Sequence, residues 1–311
     1  MMKAVTKTGF LNEFSKNRGL FLMVAPAILL VFVISYVPMT GLILAFKNYR
    51  FDLGIFKSAW NGFDNFRFLF LSGDGWRITR NTIVLNLLNL FTSQALAVII
   101  AIAISEMRGK GLYKRFCQSV IFFPYFISWV IVGTFVFNIF NYETGALNNI
   151  LKSFGQEPVN IYSKPMAWPF IICMFNAWKW CGYNSIIYIA AITTIDQECY
   201  EAADIDGANI FKKICYITLP SIRPTIIIML LLQVGRLLRG DFEMFYQIVG
   251  NNGQLFGVTD VIDTYVFRAL LNSSNIGMTA AASLFQSVLC FIIIITVNQI
   301  VKKVEADYAL F

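Results

Sequence analysis

Six apolar blocks, each near the length of a membrane-crossing helix, constrain this chain more than any other feature. They lie at about 20–46, 81–105, 117–141, 167–191, 221–240 and 278–301. A helix of about 20 apolar residues crosses a hydrocarbon core about 30 Å thick. Backbone in lipid must satisfy its own hydrogen bonds, and the blocks lack the short alternation of barrel strands, so helices are expected. Composition agrees. The 311 residues are 57% hydrophobic and only 14% charged, whereas a soluble domain carries about 25% charge. The expected fold is an all-α polytopic membrane protein with six transmembrane helices.

Residues 1–19 are polar and carry Lys3, Lys7, Lys16 and Arg18. The apolar run after them is too long for a signal-peptide core and shows no small-x-small cleavage site, so it reads as a retained first span. Pro26 and Pro38 are expected to kink it. The 47–80 segment is too polar to span. Its Trp60, Phe63, Phe66, Phe68, Phe70 and Trp76 suit an external segment at headgroup level. The residues between spans, 142–166 and 241–277, read as further loops. Lys and Arg are denser on the side that holds the N-terminal segment, the 106–116 loop, the loop after the fourth span and Lys302-Lys303. The other side has Lys47, Arg50, Lys57, Arg67, Arg77 and Arg80, but the short loops favour the same orientation. Both termini are therefore expected in the cytoplasm.

The net charge of +7 is scattered between apolar blocks and forms no single basic face, which argues against nucleic acid as a partner. There is no histidine, so a His-ligated metal or a His proton relay is excluded. The six cysteines match no zinc spacing and read as reduced structural residues. No phosphate-binding G-x-x-x-x-G-K-[ST] loop is present, so the chain does not bind ATP in the usual way. No catalytic constellation is visible, and a transport subunit is expected rather than an enzyme. An ion-gradient-driven secondary transporter is the rival. It would need buried carboxylates or matching broken helices in two halves, and the spans hold almost no Asp or Glu.

Polar groups inside spans are costly and face a cavity or another helix. One cluster, in the fourth span, is Asn176, Trp178, Lys179, Trp180, Tyr183 and Asn184. In the fifth, Gln233, Arg236 and Gly240 follow i, i+3, i+7 and would share a helical face, with Arg239, Asp241, Glu243 and Tyr246 continuing outward. Aromatic faces with hydrogen-bonding side chains suit sugars, and Lys179 and Arg236 would also suit an acidic one. The alternative is interhelical glue, including a Lys179–Glu243 ion pair. Asn86, Asn89 and Gln94 form a third polar line, expected to pack helices together.

Between the fourth and fifth spans lies EAADIDGANIFKKICYITLP, residues 201–220. Ala202, Ala203 and Ala208 allow close approach by a partner, and Gly207 permits a turn other residues resist. Ile205, Ile210, Phe211, Ile214 and Ile217 make an apolar stripe, and Pro220 is expected to open the next helix. By periodicity alone an amphipathic loop resting on lipid fits equally well. The full register is Glu201-Ala202-Ala203, three residues, Gly207, nine residues, then Ile217-Thr218-Leu219-Pro220. It resembles, position for position, the EAA loop of bacterial ABC-importer permeases. The Tyr36-Val37-Pro38-Met39 and Ala45-Phe46-Lys47 surroundings are similar to carbohydrate-uptake permeases, especially those of Gram-positive bacteria for complex oligosaccharides.

This resemblance implies a type I ABC importer permease fold over residues 20–311 in a bacterial plasma membrane. It implies a coupling loop at 196–220, in which Glu201, Ala202, Ala203, Asp206, Gly207, Ile217, Leu219 and Pro220 meet an ATPase. The implied partners are a second homologous permease, two copies of a cytoplasmic ATPase that carries ATP and Mg, an extracellular lipid-anchored binding protein, and membrane lipid. No cofactor is implied on this subunit. The family's sugar site lies on the helices flanking the loop, which points to Asn176, Lys179, Trp180, Tyr183, Gln233, Arg236, Asp241 and Glu243 for a saccharide.

Overall fold

The structure, a computed structural model, describes residues 16–71, 73–107, 111–272 and 275–304. Lys3 and Lys7 of the expected N-terminal segment, the Arg108-Gly109-Lys110 run and the Phe68 side chain lie outside what is described. In chain order the helices are α1 (Arg18–Phe46), α2 (Asp64–Leu71), α3 (Asp74–Glu106), α4 (Gly111–Phe122), α5 (Trp129–Phe140) and α6 (Ala146–Ser153). They continue as α7 (Trp168–Thr193), α8 (Gln197–Ile205), α9 (Ile210–Val234), α10 (Phe242–Val249), α11 (Ile262–Asn272) and α12 (Ile276–Val304). A short antiparallel hairpin, β1 (Lys47–Asn48) with β2 (Ala59–Trp60), follows α1.

Among the described residues, α1, α3, α9 and α12 are long and apolar enough to cross a membrane. The expected third span is not one helix. α4 and α5 meet at a bend of 93°, across a tight turn at Phe123–Phe126. Pro124 has no amide to donate there, and the Ser128 hydroxyl accepts from the Ile131 amide to start α5 afresh. As one bent span this pair makes a fifth candidate. α7 has 26 residues and matches its expected position, but its polar cluster lowers its hydropathy. Length and composition thus give four or five spans, short of the expected six.

Two further expectations change. The helix after the Glu201 stretch starts at Ile210, not at Pro220. It widens into a π turn at Ile214–Thr218 just before Leu219 and Pro220. The wider turn accommodates a proline that cannot donate to the ladder. The same helix ends at Val234 instead of 240, so Gln233, Arg236 and Gly240 do not share one helical face. Along α1, the expected break at Pro38 falls where a π turn at Phe32–Tyr36 passes into a tighter stretch at Val37–Phe46.

α3 and α7 pack along each other more extensively than any other pair, and α12 packs on the Val37–Phe46 part of α1. The largest core cluster joins Leu85 of α3, Trp129, Val132 and Val136 of α5, Trp168, Ile172 and Phe175 of α7, and Met244, Phe245 and Ile248 of α10. A second cluster, Ala97, Ala101, Tyr188, Ile192 and Ile222, ties α3, α7 and α9 together at the other end. Gly182 lets α7 approach the end of α4. A Cβ there would overlap the Ile121 carbonyl and lie 2.9 Å from Phe122 Cα.

Candidate functional site

α3, α7, the end of α9 and the start of α10 surround a cavity of about 340 Å³. α3 contributes Asn86, Asn89 and Ser93, and α7 contributes Asn176, Trp180, Tyr183 and Asn184. Met229, Gln233, Arg236 and Arg239 come from α9 and the turn after it, and Asp241 and Met244 complete the wall. Six of the eight residues expected to meet substrate are therefore brought together: Asn176, Trp180, Tyr183, Gln233, Arg236 and Asp241.

Lys179 and Glu243 are not at the cavity. The Lys179 ammonium is buried and donates to the carbonyls of Tyr125, at 3.0 Å, and of Ile127. It sits 5.2 Å from the centre of the Trp129 ring. These carbonyls are the ones freed where α4 breaks, so the lysine satisfies broken backbone. Glu243 is exposed in the first turn of α10. The hydrogen bonds of Lys179 thus go to backbone and not to Glu243.

The aromatic wall is ordered by stacking. The Tyr125 and Tyr183 rings stack with centroids 4.5 Å apart, and Trp180 stands edge-on to both. Asp241 is fixed at both oxygens. Oδ2 accepts from Trp129 Nε1 at 2.6 Å and Oδ1 from the Met244 amide at 3.2 Å. Among the described residues, no hydrogen bond or ion pair within the protein holds the guanidinium of Arg236 or of Arg239. Two guanidiniums without a hydrogen bond to the protein thus share the cavity with one engaged carboxylate.

The third polar line serves both purposes. The Tyr188 hydroxyl donates to Gln94 Oε1 at 2.6 Å, Asn184 donates to Ser93 at 3.4 Å, and Asn86 donates to the Leu237 carbonyl at 2.7 Å. These bonds join helices, as expected. Yet Asn86 and Asn89 also line the cavity, and the buried Asn89 Oδ1 has no partner. Their spacing of three on α3 was the available signal. Arg239, also at the cavity, was visible in the sequence as an in-span charge.

The Glu201 stretch forms a helix–turn–helix. Asp196 caps α8 by accepting from the Glu198 amide. α8 closes with the Ala208 amide bonded to the Ala203 carbonyl at 2.9 Å, across Gly207 at φ +71°. That left-handed conformation is costly for any residue with a Cβ. Asn209 then caps α9. Lys213 pairs with Asp204, and the Tyr200 hydroxyl bonds Thr218 at 2.9 Å, which braces α8 against α9. Glu201, Ala202, Asp206, Gly207 and Pro220 are exposed, and Ala203, Ile217 and Leu219 are half-buried. The apolar stripe is split by the turn, leaving Ile205 88% and Phe211 73% exposed. All six cysteines are free, and among the described residues no His/Cys/Asp/Glu group could hold a metal ion.

Comparison with known proteins bears on this geometry. The sequence profile of the family described as "Binding-protein-dependent transport system inner membrane component" matches residues 93–306. That range includes the Glu201 stretch and the part of the cavity wall from Ser93 onward, but not Asn86 and Asn89. The chain is 37% identical over 292 residues to Protein LplB of Bacillus subtilis (strain 168), covering 94% of this chain and 91% of that protein. It is 31% identical to the polygalacturonan/rhamnogalacturonan transport system permease protein YteP of the same organism, covering 97% and 94%. A crystal structure of a bacterial alginate ABC transporter, in complex with an alginate pentasaccharide-bound periplasmic protein, includes a chain that superposes with a TM-score of 0.84. Their sequences are 32% identical, covering 95% of this chain and 98% of that one.

Proposed function

The chain belongs to the family of binding-protein-dependent transport system inner membrane components, and on that premise we propose that it imports saccharides as one permease of an ATP-driven complex. It is a membrane protein and a transport component, not an enzyme. A solute-binding protein delivers the saccharide from outside. A second permease supplies the other half of the path, and two copies of an ATPase carrying ATP and Mg act from the cytoplasm, where both termini of this chain lie. Residues 20–311 form one transmembrane unit, with 196–220 as its coupling loop.

The observation that carries this proposal is the position of the cavity on α7 and α9, the two helices joined by the Glu201 stretch. Trp180 and Tyr183 offer flat faces to the apolar C–H side of a sugar ring. Asn89, Asn176 and Gln233 offer amides to its hydroxyls. Arg236 and Arg239, without a hydrogen bond or ion pair to the protein, favour a saccharide that carries carboxylates. YteP is named for polygalacturonan and rhamnogalacturonan, and the alginate transporter for the acidic polysaccharide alginate, which agrees with that choice. Lys179 takes no part in binding, because its buried ammonium is held by the Tyr125 and Ile127 carbonyls away from the cavity. At the loop, Glu201, Ala202, Ala203, Asp206, Gly207, Ile217, Leu219 and Pro220 meet the ATPase, with Ile205 and Phe211 as exposed anchors.

The test is uptake and substrate-stimulated ATP hydrolysis in the reconstituted complex with its binding protein. Arg236→Ala and Trp180→Ala should each lower both by about tenfold, the loss of one charge-assisted or stacking contact. Unchanged uptake in both variants would remove the cavity assignment. Uptake that survives without ATP but collapses with an uncoupler would favour the ion-driven rival.

A further inference from the structure

α9 stops at Val234, but the chain does not leave the protein interior there. Leu237 and Leu238 are 9% and 0% exposed. The backbone continues in tight turns, with the Arg236 amide bonded to the Gln233 carbonyl and the Arg239 amide to the Arg236 carbonyl, both at 2.9 Å. A helix that ends inside a protein leaves amides and carbonyls that must be satisfied by something else. Here three side chains from three other helices do it. Asn86 of α3 donates to the Leu237 carbonyl at 2.7 Å. Gln286 of α12 donates to the Leu238 carbonyl at 2.6 Å. Asp263 of α11 accepts from the Gly240 amide at 3.0 Å, and its other oxygen accepts from Gln286 at 3.0 Å.

These grips fall at 237, 238 and 240. They bracket Arg239 and follow directly on Arg236, the two cavity residues whose guanidiniums make no hydrogen bond or ion pair to the protein, with Asp263 near enough to feel the charge of Arg239. We propose that Asp263 and Gln286 are positioning residues. They fix the unwound backbone so that Arg236 and Arg239 face the cavity, although neither Asp263 nor Gln286 lines it. The proposal rests on the saccharide-site assignment above for its purpose, but the clamp itself can be read without transport.

Two variants separate clamping from general stability. Gln286→Met keeps side-chain volume and removes the donor to Leu238 and Asp263. Asp263→Asn keeps one oxygen acceptor where the carboxylate supplies two. Each is combined with Arg239→Cys in the full chain, purified with its partner subunits. The rate of modification by the anionic thiol reagent sulfonatoethyl methanethiosulfonate is then followed by peptide-resolved mass spectrometry. The buried Cys173 and Cys181 serve as internal reporters of loosened packing.

Releasing one buried hydrogen bond should change the rate at position 239 by about tenfold, with Cys173 and Cys181 still unreactive. A rate at 239 within twofold of the parent would overturn the proposal. So would gains at Cys173 and Cys181 in step with 239. Should Gln286→Met not assemble, Asp263→Asn alone decides by the same criteria. A shifted rate here, together with normal uptake in Arg236→Ala, would sink the saccharide site and leave the clamp standing.

Discussion

Gly182→Ala should loosen the joint between α4 and α7, and the structure gives its size. The added Cβ would lie 2.6 Å from the Ile121 carbonyl carbon and 2.9 Å from Phe122 Cα. Both are backbone atoms of a neighbouring segment, so no side chain can rotate out of the way. Ordinary contact begins near 3.4 Å, and because the Ile121 oxygen would overlap the Cβ most of all, the two segments must part by about an ångström. Overpacking of this kind costs about 1–3 kcal/mol. The parting also strains the Tyr125–Tyr183 stack, an interaction worth about 0.5–1.5 kcal/mol. Replacing a helical Gly with Ala returns up to about 1 kcal/mol. The net is a loss of about 1–3 kcal/mol. At roughly 2 °C per kcal/mol for a chain of this size, the unfolding midpoint should fall by about 2–6 °C. The assay is thermal unfolding in detergent at one fixed scan rate, since unfolding of such a protein is not expected to reverse. Gly235→Ala is the control, because its Cβ would meet Leu232 O at 3.5 Å and the Ile294 side chain at 3.6 Å, which is normal contact. If Gly182→Ala melts no lower than Gly235→Ala, the close crossing of α7 over Ile121 is wrong.

Three other outcomes follow from the same geometry. Gly207→Asp should strongly reduce transport while the protein still reaches the membrane. A Cβ at Gly207 meets nothing within 4 Å, so the φ of +71° alone should cost only about 1–2 kcal/mol. Normal uptake in that variant would sink the coupling assignment. Lys179→Met leaves the Tyr125 and Ile127 carbonyls without their donor and should cost about 1–3 kcal/mol in thermal unfolding, whereas Gln233→Met should cost less than about 1 kcal/mol. Equal losses would contradict the backbone role of Lys179. Burial, only partly offset by the Gln286 and Gly240 hydrogen bonds and the nearby charge of Arg239, pushes the Asp263 carboxyl above its ordinary 3.8. The stability this group contributes is therefore full below the ordinary value and is lost as pH rises through the raised one. The melting difference between Asp263→Asn and the parent should move in favour of Asn as pH rises from about 4 to 7, and a difference independent of pH would refute it.

The parts of this structure that local sequence determines were legible in it. α3, α7 and α12 each begin and end within several residues of the apolar blocks, because lipid-length runs with no proline beyond the first turn leave a helix little choice. The turn at Gly207 was legible for the same local reason. The two breaks were not. Pro124 marks the first, but a proline alone does not distinguish a mild kink from a 93° bend. What permits the bend is Lys179, whose ammonium reaches carbonyls more than fifty residues earlier in the chain. The end of α9 at Val234 depends in the same way on Asn86, Asp263 and Gln286, none of them near it in sequence. The candidate site followed this division. The sequence marked the α7 and α9 clusters as costly, and the cost was real. It did not reveal that Lys179 spends its charge on broken backbone while Asn86 and Asn89 reach the cavity.

The uneven character of α9 has a mechanical consequence. Its first third holds a π turn at Ile214–Thr218, Pro220 and Pro224 follow in the middle, and only the stretch from there to Val234 is free of proline. With 25 residues it is about 37 Å long at 1.5 Å per residue. It is a lever with a soft joint near one end. A tilt of about 5° pivoting at that joint carries Gln233 through roughly 2 Å, more than half the length of a hydrogen bond. A rotation of a few degrees is therefore enough to make or break the grip on a sugar hydroxyl.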